Sequence, residues 1–323
     1  MSKINFFQVS LKENIPVILQ NYFNLKKIYK SFTLTLICKD NEVKFFKKNL
    51  NFLGVKIIKE SFFITLPVFK NLFNRYCKNK NFLKQNDWRI SWYYQQCLKI
   101  LYIFYFFKKI KKNNFNTKKL VLWDADSLIL NKINFFTNNH SNIFCCPFQL
   151  HKDYYKTLLF IFKKLPPYYL SGTCQFSPIS EKDFSNLSFR LNSFLSKKSS
   201  LENWLVTVMG KSIFCAHKSY SNSLFSEQDL LTINKLLYDL KKQEPILYFR
   251  SNLGGKLNSF QIKILKFMNF KHLTYDFYGK IYDKEANSLK FVIKLFQFTL
   301  HYYFKCIYNN CFYYIKVRKN FTF

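Results

Sequence analysis

The chain has 323 residues, with 51 Lys or Arg against 18 Asp or Glu, and its formal net charge is +33. This length is sufficient for one large α/β domain, or for one domain with an appendage. A surface this basic attracts phosphate-bearing partners, among them nucleic acid, anionic lipid and nucleotide sugars. Net charge alone does not choose among these partners.

The sequence has the features neither of a zinc-binding protein nor of a membrane-spanning or secreted protein. The nine cysteines include no CxxC pair and no Cys/His set with the spacing of a zinc site. No stretch reaches the roughly 18 consecutive apolar residues of a transmembrane helix, and the N-terminal residues lack the apolar segment of a signal peptide. We therefore expect a cytoplasmic protein with reduced, mostly buried thiols.

The first part of the chain alternates between predicted strands and helices, which favours a mostly parallel sheet flanked by helices. Strands are predicted at 4–11, 32–38 and 55–58, and helices at 13–29, 41–50 and within 66–78. Ser10, at the end of the first predicted strand, and Asp40, just after the second, lie where sheets of this kind bind nucleotides. A helix N-cap is the equal alternative for Asp40.

A long helix is predicted from residue 86 to about residue 107. Trp92, Gln95, Gln96 and Lys99 are spaced at i, i+3, i+4 and i+7 and therefore share one face. The two amides are candidates to bind a sugar or a base, and the Lys99 ammonium is a candidate to bind a phosphate. A half-exposed stripe without a ligand is the alternative.

Two aspartates follow the apolar run from Leu120 to Trp123, which predicts a buried strand. Side chains at i and i+2 of an extended segment point the same way, so Asp124 and Asp126 are expected to converge at the carboxyl end of the sheet. Paired carboxylates suit Mg²⁺ or Mn²⁺ together with the phosphates of a substrate. A local turn capped by Asp126 is the alternative.

Two later segments carry candidate binding residues. A strand predicted at 168–178 contains Ser171 and Gly172, and a glycine there allows the backbone to approach a ligand closely, with a β-bulge as the alternative. Ser226 is expected to cap a helix with Asp229 at the capping-box position, which leaves Glu227 and Gln228 unexplained. Further strands are predicted at 143–148, 214–217 and 246–250, and helices at 152–164, 181–196 and 201–208.

Four of these segments, in this order, resemble motifs of the GT-A glycosyltransferases. They are the Trp-Tyr-x-Gln-Gln-x-x-Lys helix, the run Leu-Trp-Asp-Ala-Asp-Ser-Leu-Ile, the Ser-Gly strand and the Glu-Gln-Asp segment. The similar proteins are a bacterial group that acts in surface polysaccharide and lipooligosaccharide synthesis. The resemblance covers about residues 4–275, and it departs from the family at Thr232, where Asn is usual.

The resemblance implies a GT-A-like, Rossmann-like domain over residues 1–280 that moves a hexosyl group from a nucleoside-diphosphate sugar to a glycan or lipid-linked glycan. It implies that Mn²⁺ or Mg²⁺ is held by Asp124, Asp126 and a distal histidine, for which His272 is the first candidate and His217 the second. Donor contacts would come from the Ser171-Gly172 pair and Gln228, with Arg89 and Lys99 adding positive charge near the phosphates.

The acid–base chemistry of such a reaction depends on its stereochemical outcome, which the sequence leaves open. An inverting transfer needs a carboxylate that takes the proton of the acceptor hydroxyl. Glu227 and Asp229 are the first candidates for this base, and Asp153 is the next candidate. A retaining transfer does not require this base.

The tail from 281 to 323 is aromatic, apolar and basic, and we expect it to be helical. Its apolar positions between 291 and 300 do not form one clean stripe. Two interpretations stay open: a helix that lies on the anionic inner face of the cell membrane, or a helix that docks on the sheet with its lysines at the rim.

Two other functions also fit parts of the sequence. The charge and the interleaved aromatic residues are typical of a nucleic-acid-binding protein, although the basic residues are spread along the whole chain. A metal-dependent phosphotransferase or nuclease would use the same aspartates, but the sequence contains no P-loop and no His-rich metal set.

Overall fold

The computed structural model describes residues 3–76, 87–113, 119–146, 158, 161–162, 172–194, 200–203, 205–206, 209, 225–238, 243–251, 256–275 and 286–320. The helices are α1 (Ile15–Ile28), α2 (Val43–Leu50), α3 (Leu66–Tyr76), α4 (Asp87–Asn113), α5 (Glu181–Phe194), α6 (Glu227–Leu236), α7 (Ser259–Phe267) and α8 (Ser288–Asn320). The strands are β1 (Ile4–Val9), β2 (Phe32–Cys38), β3 (Lys56–Lys59), β4 (Lys119–Trp123), β5 (Ser127–Ile129), β6 (Phe136–Thr137), β7 (His140–Ser141), β8 (Phe144–Cys145), β9 (Phe176–Ser180), β10 (Glu244–Pro245), β11 (Tyr248–Ser251) and β12 (His272–Tyr275).

The central sheet has five strands in the order β3-β2-β1-β4-β9. The first four are parallel, and β9 runs antiparallel to β4. The chain moves outward from β1 to β3 and then returns to the other side of β1 with β4. This reversal is a topological switch point, and the carboxyl ends of β1 and β4 border the crevice where open α/β sheets bind ligands.

Smaller sheets extend the structure beyond β4. In the three-stranded sheet β11-β12-β5, the strands β11 and β12 are parallel and β5 is antiparallel to β12. Two short pairs, β8 with β10 and β6 with β7, complete the described strands. Because β5 follows β4 after a single turn, the three-stranded sheet adjoins the carboxyl end of β4.

The two faces of the central sheet have separate cores. On one face α4 packs along β1, where the rings of Tyr102 and Phe7 stack at 3.8 Å between centroids. On the other face Trp123 stacks on Phe176 at 5.5 Å, within a cluster that includes residues of α1 and α2. Successive residues of a strand point to opposite faces, so neighbouring residues of β4 contribute to different cores.

The C-terminal helix α8 packs on the three-stranded sheet through Phe291, together with the partly buried Phe298. Among the residues that the structure describes, no helix has both the length and the apolar character needed to cross a membrane. Six cysteines with described side chains are free thiols, and five of them are buried.

The predicted mixed, mostly parallel sheet with flanking helices and a C-terminal helix is confirmed. One strand begins later than predicted, because β9 starts at Phe176 and Gly172 lies in the irregular segment before it. Helix α7 was not predicted from the sequence, although its start has a complete capping box between Asn258 and Gln261. Strands β5 and β12 were not predicted either, and the predicted strand at 214–217 lies outside the described residues.

Candidate active site

A buried ion cluster lies at the carboxyl edge of the central sheet. The Lys99 ammonium, on α4, is 2.6 Å from Oδ1 of Asp124 and 2.5 Å from Oε1 of Glu227. Asp124 follows β4, and Glu227 is the first residue of α6. The side chain of Asp124 is 20% exposed and that of Glu227 only 2%, so the cluster opens to solvent on the Asp124 side.

The two carboxylates determine the charge state of Lys99. Burial opposes a charged ammonium, but the attraction and hydrogen bonds of Asp124 and Glu227 outweigh it and raise the pKa of Lys99. For Glu227, burial is the largest effect and raises the pKa of its carboxyl group, against the attraction of Lys99. Lys99 is therefore a fixed positive charge between two acids.

A closed circuit of hydrogen bonds fixes the orientation of Asp124. Its backbone N–H donates to the carbonyl of Gln175 over 2.9 Å, and the Gln175 N–H donates to Oε1 of Gln228 over 2.9 Å. The Gln228 amide then donates to Oδ2 of Asp124 over 3.0 Å. Gln175 has a positive φ of 64°, a conformation that turns the chain so that both of its backbone groups join this circuit.

The same helix that carries Lys99 also holds the start of α6. Gln96, one turn before Lys99, accepts a hydrogen bond from the backbone N–H of Glu227 over 2.8 Å. Both Gln96 and Lys99 are buried, whereas Trp92 and Gln95 are half-buried. The predicted shared face of α4 therefore places Gln96 and Lys99 in contact with the same residue of α6.

Asp229, two residues after Glu227, faces a different partner. Its Oδ1 accepts the backbone N–H of Gly172 over 2.7 Å, and its Oδ2 accepts the Thr173 hydroxyl over 2.9 Å. Ser226 caps α6 by accepting the Asp229 N–H over 3.3 Å, as predicted. Asp229 thus anchors the segment before β9.

Gly172 is required where this segment touches α6. A Cβ atom at this position would lie 2.1 Å from Oγ1 and 2.6 Å from Cβ of Thr232. It would also lie 3.0 Å from the carbonyl oxygen of Gln228. The glycine therefore permits a close approach to a helix of this chain, and the positions of Gln175 and Gln228 depend on that packing.

The two aspartates do not lie in an extended strand. The strand ends at Trp123, and the Ser127 N–H donates to the Asp124 carbonyl over 3.0 Å, which closes a turn. The structure therefore has the local turn that was the alternative, and the alternation of side chains along a strand does not orient Asp124 and Asp126. Asp126 lies in this turn, where its carbonyl accepts the Tyr275 N–H over 3.0 Å.

His272 lies on the other face of the sheet from the ion cluster. Its ring stacks on Tyr248 at 4.7 Å and contacts Trp123 at 5.8 Å, and burial lowers the pKa of the imidazole to about 3. Neither ring nitrogen has a hydrogen-bond partner among the described residues. Trp123 points to this face, while Asp124 contacts α4 on the opposite one, so the predicted set of three ligands is not assembled. Nor does any other group of three His, Cys, Asp or Glu in the described residues have an arrangement that could hold a metal ion.

Ser10 and Asp40 follow β1 and β2, at the same carboxyl edge of the central sheet as the ion cluster. Ser10 is buried, and its hydroxyl donates to the Leu11 carbonyl over 3.3 Å. Asp40 is exposed and accepts the Ser61 N–H over 3.1 Å, so it does not cap α2. Glu42 is the buried acid here, and it accepts the Lys12 N–H over 3.0 Å.

Several residues of the site were not identified from sequence. Gln175 contributes its backbone groups, Thr173 contributes its hydroxyl group, and Thr232 packs against Gly172. No local sequence motif indicates such contributions. Glu42 could have been found as the acid on the turn after β2, two residues beyond Asp40. Ser171, Asp153 and His217 lie outside the described residues, as does the side chain of Arg89.

Comparisons with known proteins give no family assignment. No protein-family model and no curated protein matches the sequence. The apo form of mouse xyloside xylosyltransferase 1 is similar in structure, with 10% identity over 85% of this chain and 98% of that chain and a TM-score of 0.39. Two structures of the glycosyltransferase GlyE from Streptococcus pneumoniae TIGR4, one of them apo, are 10% identical with TM-scores of 0.38. They cover 93% and 94% of this chain, which spans only 60% and 62% of theirs. TM-scores this low carry no conclusion about the activity of this chain.

Proposed function

We propose that this chain transfers a glycosyl group from a nucleoside-diphosphate sugar to a glycan or lipid-linked glycan in cell-surface polysaccharide synthesis. The observation that carries the proposal is the Lys99–Asp124–Glu227 cluster at the switch point of the sheet. α4, the turn after β4, the segment before β9 and α6 meet there. The motif resemblance to GT-A glycosyltransferases falls on these same four segments.

The cluster suits a reaction in which negative charge develops on a leaving diphosphate. Breaking the bond between the anomeric carbon and the phosphate oxygen leaves its electron pair on that oxygen. The Lys99 ammonium is already desolvated and held by two carboxylates, so it does not need to reorganise as this charge appears. Its role in this proposal is to attract and orient the diphosphate, with charge-assisted hydrogen bonds.

A divalent cation is part of this proposal, and Asp124 and Asp126 are its candidate ligands. The two aspartates lie on the same turn after β4, and carboxylate oxygens are ligands that Mg²⁺ and Mn²⁺ prefer. Each Asp124 oxygen accepts one hydrogen bond and keeps a second lone pair. The aspartates therefore fit a largely hydrated cation, whereas His272 does not fit as a third ligand. When bound, such a cation would act as a Lewis acid on the diphosphate.

The two acids of α6 have different roles in the proposal. Glu227 accepts a hydrogen bond from the Lys99 ammonium, so it is the acid of the two that belongs to the proposed reaction site. Asp229 has both oxygens bonded to the segment before β9 and acts as a positioning residue. Gln228 lies between them and links that segment to Asp124.

The test is the release of nucleoside diphosphate from a panel of nucleotide sugars, with Mn²⁺ and with EDTA. We expect one donor to be hydrolysed or transferred by the wild type, and at least about a hundredfold loss of kcat in Lys99→Met. Lys235→Met is the matched control, because Lys235 is also buried but bonds the Pro178 carbonyl away from the cluster. Hydrolysis of no donor, together with binding of DNA or RNA, would replace this proposal by the nucleic-acid alternative.

A further inference from the structure

The C-terminal helix α8 has two apolar faces on opposite sides. Its inner face packs against the three-stranded sheet through the buried Phe291 and the partly buried Leu295, Phe298 and Tyr302. The outer face is a second row of large apolar residues, each between 46% and 70% exposed, which we call the outer stripe. The outer stripe consists of Leu289, Val292, Ile293, Phe296, Leu300, Tyr303, Phe304 and Ile307.

The outer stripe is continuous and straight. At 100° per residue, its members fall within an arc of about 120°, and the inner-face residues lie about 180° away. With a rise of 1.5 Å per residue, the stripe is about 27 Å long. The two opposed stripes explain why the sequence showed no single clean one. Because the inner face is packed on the sheet, the helix holds its outer stripe toward solvent.

The charge around the stripe is of one sign. From Ala286 to the end of the chain there are six basic residues and no acidic one. Lys290, in the first turn of the helix, is exposed beside the stripe. An anionic surface would therefore find apolar side chains and positive charge on the same helix. A second copy of this chain would instead bring an equally basic helix against this one.

We propose that the outer stripe of α8 binds an anionic lipid bilayer, with the helix parallel to the membrane plane. The stripe is a convex ridge on a single helix, and a fluid bilayer accommodates such a ridge by displacing headgroups, whereas a protein partner would need a matching groove. This inference does not depend on the reaction catalysed.

The test is co-sedimentation of the full chain with vesicles of phosphatidylcholine alone, or with about a third of the lipid replaced by phosphatidylglycerol. We expect the wild type to bind the anionic vesicles at least about tenfold more tightly than the neutral ones, and to lose binding as salt is raised. The double substitution Phe296→Ser/Phe304→Ser removes two exposed rings of the stripe without changing charge. It should weaken binding to anionic vesicles by about tenfold or more.

Phe52→Ser/Phe189→Ser is the matched control, because these rings are as exposed as the stripe pair but lie elsewhere, beyond α2 and on α5. It should bind vesicles like the wild type. All four rings are exposed, so both variants should keep the wild-type melting temperature; if the stripe variant does not, Val292→Ser/Leu300→Ser replaces it. Equal binding by stripe variant and wild type, equal loss in the control, or no preference for anionic lipid would overturn the proposal. So would a dimer in the absence of lipid that the stripe variant converts to monomers.

Discussion

The ion cluster and the surroundings of His272 begin at adjacent residues, Asp124 and Trp123, yet they differ in every physical respect. Around Lys99, each buried charge has an opposite charge or a hydrogen-bond donor within 3.0 Å. Around His272, a buried polar ring is surrounded by Tyr248, Trp123 and Phe176, and neither nitrogen has a partner in the described residues. The first arrangement is a preorganised polar site, while the second is an aromatic core.

The difference shows that residue type does not distinguish a ligand from a core residue, whereas the set of partners does. Trp123 is the last residue of β4 and packs among aromatic rings, whereas Asp124 begins the turn that follows and contacts Lys99 of α4. Substitutions in the two regions should therefore differ in their effects on stability and activity, and the following measurements test that difference.

The largest effect is expected for Lys99→Met, which leaves Asp124 and Glu227 buried beside each other without their cation. Removing one member of a buried ion pair costs about 3–5 kcal/mol of unfolding free energy. Chemical denaturation measures this loss, with Lys235→Met as the control, whose cost should be smaller because burial lowers the pKa of that lysine. An equal loss of unfolding free energy in both variants would contradict a special dependence of Asp124 and Glu227 on the Lys99 charge.

The next effect is on acid stability and concerns His272. Burial lowers the pKa of His272 from 6.5 to about 3, so the unfolded chain takes up a proton that the folded chain does not. The free energy of unfolding should therefore decrease by up to about 1.4 kcal/mol per pH unit as pH drops from 6.5 toward 3. The measurement is denaturant unfolding of the wild type and His272→Phe against pH. A difference between them that does not grow below pH 6.5 would show that His272 is not buried as a neutral ring.

A smaller loss, about 1–3 kcal/mol, is expected for Gly172→Ala, because the added methyl group would overlap Thr232 and meet the Gln228 carbonyl. Combining it with Thr232→Gly should recover part of the loss, and the double-mutant cycle measures that coupling. Additive effects would contradict the close approach of this segment to α6.

The smallest effect is expected for the activity of His272→Phe at neutral pH. Phe keeps the ring that stacks on Tyr248 and removes two buried nitrogens that have no hydrogen-bond partner in the part of the chain that the structure describes, so stability should be unchanged or higher by about 1 kcal/mol. Donor turnover and its dependence on Mn²⁺ should match the wild type. A large loss of metal-dependent turnover would instead make His272 a metal ligand.

Much of the fold and part of the site follow from local patterns in the sequence. The alternation of strands and helices predicted the sheet, and the spacing of Gln96 and Lys99 predicted that they share one face of α4. Sequence did not distinguish the roles of Glu227 and Asp229, because residues two apart on a helix point about 200° apart and the partners come from distant segments. The turn at Asp124, the position of His272 and the outer stripe of α8 all depend on tertiary packing.

The most direct test of the central claim is calorimetric titration of the wild type and Lys99→Met with a panel of nucleoside diphosphates in the presence of Mn²⁺. The account predicts that one diphosphate binds the wild type, and that binding weakens by at least about tenfold in Lys99→Met but not in Lys235→Met. Equal affinity of the wild type and Lys99→Met for every diphosphate, or no binding at all, would contradict a diphosphate site at the carboxyl edge of the sheet.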